Sequence, residues 1–275
     1  MALNFARELF HNIGDLPIIS PHGHCDPAWF SENKRFPDPA QLFVVPDHYV
    51  FRMLASQGLT LNELGVKTAD DTFFENDPRK IWKKFSENYF LFRGTPTAMW
   101  LDYSFEKVFG ITEPLTPATS DSYYNQIEKK LSQPEYLPQA LFDKFNIEVL
   151  STTDSAISDL RQHNDLKRST WDGRVVPTYR PDSVVDPKSH EFKNNLAKLG
   201  ELANEDTNSW DGYLKAHRSR RLFFKKLGAT ATDHGHPFAR TENLSYHEAE
   251  QLFRRILTEN FTLEDADKFR GQMLT

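Results

Sequence analysis

From residue 146 to residue 257 the chain repeats one rhythm: a short β-branched run, a polar strand end, then an amphipathic helix. Ile147 to Thr153 is one such run and ends in Thr152-Thr153-Asp154, with a helix predicted over 155–163 and Ile157 and Leu160 turned inward. Val175 to Tyr179 is the next and ends in Arg180-Pro181-Asp182. Helices follow through Phe192, Leu196, Leu199 and Leu202, and then over about 209–227, where Gly228 is the stop. Ala229 to Thr232 is a further short strand, ending in Asp233-His234-Gly235-His236. Ser245 and Glu248 then make a capping box for a helix with Ala249, Leu252, Phe253, Ile256 and Leu257 on one face. Strands separated by helices pair in parallel, because a tight turn can only return the chain antiparallel. Polar residues gathered at the carboxyl ends of parallel strands are the pattern of a (β/α) barrel, whose chemistry sits at that face.

The same logic applies near the start. After a lead-in helix over residues 1–17, an apolar strand at about 17–21 runs into Pro21-His22-Gly23-His24-Cys25-Asp26. Residues two apart on a strand point to one face, so His22 and His24 can aim two imidazoles at one point. Neutral imidazole is the commonest side-chain ligand for a divalent transition metal. A His-x-His pair alone is commonly an accident of surface composition. Its place at a strand end makes it half of a metal site, since zinc takes three protein ligands and a water. Cys25 points to the opposite face from His24 and reads as packing.

Residues 26–45, rich in Pro and Phe, read as loop, with one more strand conceivable near 43–50. Residues 46–58 become helical behind Asp47-His48-Tyr49, which also fits a plain helix cap with a surface histidine. A helical insertion is predicted from about 60 or 70 to 145. Asp77-Pro78 caps a helix carrying Trp82, Phe85, Tyr89 and Phe92; Tyr124, Ile127 and Leu131 form a second stripe, and Leu137, Leu141 and Phe145 a third. Such aromatic stripes are core. A last helix opens at Thr262, with Leu263, Ala266, Phe269 and Met273 on one side and no strand after it. The expectation is therefore an α/β chain, either an open sheet or, as the unpartnered last helix favours, the N-terminal part of a barrel domain over 1–275, incomplete at its C-terminus.

Composition excludes some classes. A net charge of -6 argues against nucleic-acid binding, which favours basic surfaces. No run of about 18 apolar residues exists, so no membrane-spanning helix is predicted. With a single cysteine there is no internal disulfide, and a reducing cytoplasm is the simplest setting. Oligomeric state stays open, a homo-oligomer included.

Five words in order carry a resemblance: Pro-His22-Gly-His24-Cys-Asp; Asp47-His48-Tyr49-x-x-Arg52; Ser-Thr152-Thr153-Asp154-Ser; Tyr-Arg180-Pro181-Asp182; and Thr-Asp233-His234-Gly235. Together they resemble the uronate isomerases of the amidohydrolase superfamily, over residues 17–275. The resemblance implies a distorted (β/α)8 TIM-type barrel with a helical insertion after its second strand. It implies interconversion of D-glucuronate with D-fructuronate, and of D-galacturonate with D-tagaturonate, through an enediol. By position it makes His22 and His24 ligands of a divalent metal, expected to be zinc. It makes His48 and Tyr49 catalytic contacts to substrate oxygens, Arg180 the grip on the substrate carboxylate, and Asp233 and Arg52 neighbours of the substrate. The family's third ligand, an aspartate after strand eight, and an arginine close to it are expected beyond residue 275. Around Ala98 to Tyr103 the sequence departs from the family, which tends to carry histidine there. The small-molecule partner would be a hexuronate. A metal-dependent hydrolase of the same superfamily is the alternative reading, disfavoured by threonines where such enzymes place lysine. A non-catalytic sugar-acid-binding fragment is the other.

Overall fold

The structure is a computed structural model describing residues 2–68 and 74–275, with side chains from Asn4 onward. Residues 70–73, where the predicted insertion opens, lie outside the described residues. The chain divides into two compact units: residues 1–32 with 142–275, and residues 33–141.

In chain order, α1 (Ala2–Ile13) and β1 (Ile18–Ser20) are followed by α2 (Pro27–Glu32). The second unit holds α3 (Pro39–Phe43), α4 (His48–Ala55), α5 (Pro78–Glu87), α6 (Pro96–Tyr103) and α7 (Ser120–Leu131). Helix α8 (Pro138–Lys144) crosses the division. The chain then makes β2 (Ile147–Ser155), α9 (Arg161–Arg168), β3 (Arg174–Arg180), α10 (Asp182–Val185), α11 (Phe192–Ala203), α12 (Trp210–Lys226), α13 (Tyr246–Leu257) and α14 (Leu263–Leu274).

The three strands form one parallel sheet in the order β1-β2-β3. β-Branched residues supply β2 and β3, where their stiff side chains suit a pleated, buried surface. The strand predicted at Ala229–Thr232 is reduced to one parallel bridge, Tyr179 to Thr232. Asp233 N donates to Tyr179 O at 3.0 Å and extends that contact by one step.

Several boundaries differ from the expectation. Residues 26–45 are not loop throughout, and no strand forms near 43–50. Asp38 caps α3 by accepting from Gln41 N, and Pro39 stands in the first turn, where a missing N–H costs nothing. Asp47 likewise caps α4, accepting from Tyr49 N at 2.8 Å. The helix predicted over 155–163 begins only at Arg161, because Leu160 is left-handed at φ 52°. Of the third stripe Phe145 is exposed, and its neighbour Phe142, outside the stripe, is the buried residue. Leu202 and Leu263 are also exposed, leaving the rest of their stripes inside.

Each unit has its own core. In the sheet-bearing unit Tyr213, Phe224, Phe253 and Phe269 are fully buried between α12, α13 and α14, with Tyr213 stacked on Phe253 at 4.8 Å. A smaller cluster of Phe30, Phe142, Leu150, Leu166 and Val175 lies against the sheet, and Cys25 packs on it as expected. Burial raises the Cys25 thiol pKa. In the helical unit Ile81, Trp82, Phe85, Phe92, Phe105, Tyr124 and Ile127 form the center. Trp82 Nε1 donates to the Ser120 carbonyl at 3.1 Å, so its one polar atom is not orphaned there. Among the described residues no helix is long and apolar enough to cross a membrane.

Candidate active site

The carboxyl ends of the parallel strands collect the polar residues. Just past β1, Gly23 lies against β2: its carbonyl accepts from Thr153 Oγ1 at 3.0 Å, and a Cβ on it would stand 3.2 Å from the Ser151 carbonyl. At this glycine a neighbouring strand's backbone thus makes a close approach. Held there, His22 and His24 turn their Nε2 atoms toward each other at 3.1 Å, with ring planes at 82°.

That spacing suits two ligands of one ion. With Zn–N near 2.0–2.1 Å, tetrahedral geometry puts two ligand nitrogens about 3.3 Å apart. The donor chemistry is right as well, since both atoms are imidazole nitrogens. Among the described residues no group of three or more His, Cys, Asp or Glu side chains is arranged to hold an ion, so the pair fits as two ligands.

Behind His22 a line of charges follows. His22 Nδ1 stands 3.6 Å from Asp233 Oδ1. Asp233 Oδ2 stands 3.1 Å from an Nη of Arg180, an ion-pair distance, but off line, so that this buried oxygen accepts no hydrogen bond. Arg180 Nε donates to Asp182 Oδ2 at 3.0 Å. Asp182 Oδ1 in turn accepts from the Gly235 amide at 2.7 Å. Arg180 ends β3 and Asp182 opens α10, while Asp233 and Gly235 follow the bridge at Thr232. Close by, Ser155 and Ser183 share a hydroxyl hydrogen bond of 3.0 Å.

His22, His24, Arg180 and Asp233 are therefore brought together as the sequence suggests. Asp182, Gly235, Ser155 and Ser183 were not singled out. Their only signal was Asp182 at two residues from Arg180 and a glycine beside Asp233. His234 and His236 lie in the loop. His234 Nε2 is 3.0 Å from Thr232 Oγ1, and both ring nitrogens of His236 are buried without a partner. Burial lowers the pKa of each, which favours the neutral ring. Thr152 and Asp154 take part in a different contact: Thr152 Oγ1 donates to Asp154 at 2.7 Å and lies 2.8 Å from His163 Nε2. Desolvation lowers the pKa of His163.

His48, Tyr49 and Arg52 belong to the helical unit. The first two open α4, with ring centroids 4.2 Å apart and planes tilted by 32°, and Tyr49 is 66% exposed. Arg52 is exposed in its last turn. Residues Ala98–Tyr103 lie in helix α6. Its Asp102 accepts from Tyr89 Oη at 2.7 Å beside a cavity of about 470 Å³ also lined by Phe90, Arg93, Glu106 and Tyr123.

Known proteins supply the family context. The glucuronate isomerase family profile matches residues 1–275. A uronate isomerase from Rhizobium meliloti (strain 1021) is 53% identical over 270 residues, covering 98% of this chain and 58% of that protein. One from Phenylobacterium zucineum (strain HLK1) is 49% identical over 272 residues, covering 99% of this chain and 56% of that protein. Among solved structures, a glucuronate isomerase from Caulobacter crescentus superposes with a TM-score of 0.95 at 44% identity, over 98% of this chain and 56% of the other. A uronate isomerase from Thermotoga maritima gives a TM-score of 0.87 at 26% identity, over 97% and 57%. The chain thus spans a little over half the length of these relatives. The profile match across all 275 residues and these identities carry one conclusion: the chain belongs to the glucuronate isomerase family.

Proposed function

We propose that the protein is a uronate isomerase, interconverting D-glucuronate with D-fructuronate and D-galacturonate with D-tagaturonate. The observation that carries this is the profile match across residues 1–275. The polar line from His24 to Asp182 at the strand ends supports it. The three-stranded parallel sheet is read as part of a (β/α)8 barrel of the amidohydrolase type, working in the cytoplasm.

His22 and His24 would hold a divalent cation, zinc being the choice that suits imidazole donors. Such a cation supplies Lewis-acid polarisation of a substrate oxygen. The remaining roles belong to the chain. Arg180 presents N–H groups that a planar carboxylate can meet through two parallel bonds. Asp233 sits between Arg180 and His22, so its carboxylate offsets the guanidinium charge and orients the imidazole from the side away from Nε2. Aldose–ketose isomerisation removes a carbon-bound proton and protonates an oxygen. His48 and Tyr49, both capable of carrying protons, are assigned to substrate oxygens by the resemblance.

Incubation of the complete, zinc-loaded gene product with glucuronate in deuterium oxide tests the reading. Label at C2 and ketose formation are expected. If neither appears, the isomerase proposal fails.

A further inference from the structure

Arg180 is more constrained than a substrate clamp at a loop tip needs to be. Three separate groups fix its guanidinium. Asp182 Oδ2 takes Nε at 3.0 Å, and Asp233 Oδ2 stands 3.1 Å from one terminal nitrogen. Gly235 packs against the other: a Cβ built on residue 235 would fall 2.1 Å from that nitrogen, 3.2 Å from Cζ and 2.8 Å from Asp182 Oδ1. Real Cβ atoms do not approach so closely, so any side chain at 235 must displace the guanidinium or the loop. The second oxygen of Asp182 is also committed, accepting the Gly235 amide at 2.7 Å. One carboxylate therefore fastens two elements at once, the end of β3 and the loop 53 residues downstream.

The consequence for binding is directional. A guanidinium offers a carboxylate either its side, through Nε and one terminal nitrogen, or its end, through both terminal nitrogens. Asp182 occupies Nε, which closes the side-on approach. What is left for an incoming carboxylate is the end-on pair, since the nearby Asp233 Oδ2 takes no hydrogen bond from it and Gly235 sets no side chain against it.

We propose that Asp182 and Gly235 are positioning residues: they set the guanidinium of Arg180 so that its end-on N–H pair meets the carboxylate of a sugar-acid substrate. The inference rests on the isomerase reading and on Arg180 as its carboxylate grip. A bond to a carboxylate made equally in ground and transition state appears in KM and leaves kcat alone. Gly235→Ala in the complete gene product should raise KM for glucuronate roughly tenfold with kcat within about twofold.

Asp182→Asn separates positioning from charge. Asparagine keeps one oxygen and puts an NH2 donor where an acceptor is needed, so one of the two bonds is lost. If Asp182 acted only as a nearby negative charge, neutralising it would draw the substrate in and lower KM. Positioning requires KM to rise. An unchanged or lowered KM overturns the proposal, and this variant carries the test should Gly235→Ala fold poorly. Gly235→Ala is also expected to cost less in an Arg180→Lys background, where no terminal nitrogen meets the new methyl and only its contact with Asp182 Oδ1 remains. An equal penalty in both backgrounds would mean that Gly235 acts through another group, and would overturn its assignment.

One readout is independent of turnover. The Nε–H proton of Arg180, followed by NMR in arginine-labelled protein, should exchange slowly in the parent and at least tenfold faster in Asp182→Ala, which removes both acceptors. Equal exchange sinks the inference even if the enzyme is active. Slow exchange in a parent that fails to turn over glucuronate would sink the isomerase reading and leave the Asp182–Arg180 clamp standing.

Discussion

The helical unit and the sheet-bearing unit use polar residues in opposite ways. In the helical unit the conspicuous cluster Asp47-His48-Tyr49 is local: the aspartate caps α4 and the rings of the next two residues touch each other. Tyr89 and Asp102 meet across 13 residues, Ser120 meets Ser86 and Trp82 across 34 and 38, and the rest of that unit's core is aliphatic and aromatic packing. In the sheet-bearing unit the polar groups that touch come from distant sequence: His22 with Asp233, Asp182 with Gly235, Thr153 with Gly23. Helices satisfy their backbones internally, and their side chains meet at three- and four-residue spacing. Parallel strands end side by side although their sequences lie far apart, so they can assemble chemistry that no local stretch contains.

The contrast can be broken at its strongest point. Phe85 is fully buried in the aromatic center of the helical unit. Phe85→Ala should cost about 3–5 kcal/mol of stability, read as a lowered denaturant midpoint. A loss below about 1 kcal/mol would mean that this unit is not held by its aromatic stripe.

A buried histidine sharpens the other side. His217 in α12 lies 2.8 Å from the Tyr179 hydroxyl through Nδ1, and burial, helped by nearby Arg221, pushes its pKa down from 6.5 to about 3. The unfolded chain takes up a proton as pH falls through 6.5, while the folded chain does not until about pH 3. The stability this histidine contributes is therefore present above pH 6.5 and is lost as pH falls across that window. The slope is about 1.4 kcal/mol per pH unit for one such group. Denaturant midpoints taken between pH 7 and pH 4 should show the decline. It should be shallower in His217→Gln; an equal slope would exclude His217 as a source.

The smallest effect belongs to the cap that resembles a site. Asp47→Ala should cost about 1 kcal/mol by freeing the Tyr49 and Val50 amides of α4. A thermal melt that does not move would show that the first turn of α4 is held by something other than its cap.

These particulars also mark what could be read from sequence. His22, His24, Arg180 and Asp233 were legible because each closes a β-branched run. The capping box at Ser245 was legible because both partners lie within one turn. Residues 26–45 misled because Asp-Pro pairs serve both turns and helix starts, and only packing chooses between them. Leu160 gave no sign of its left-handed backbone, since nothing about leucine favours it. Asp182 and Gly235 could not be paired in advance, because 53 residues separate them and their contact exists only after the sheet has formed.

Gly23 sets a limit on how this site can vary. The atom that a side chain there would crowd is the carbonyl oxygen of Ser151, part of the strand backbone. Substitution at a crowded position is commonly rescued by trimming the neighbour that it strikes. Here trimming is useless, because every amino acid at position 151 carries the same carbonyl. Libraries built to retune the two-histidine pair should therefore hold position 23 fixed and spend their diversity on positions 22, 24 and 153, where the contacts belong to side chains.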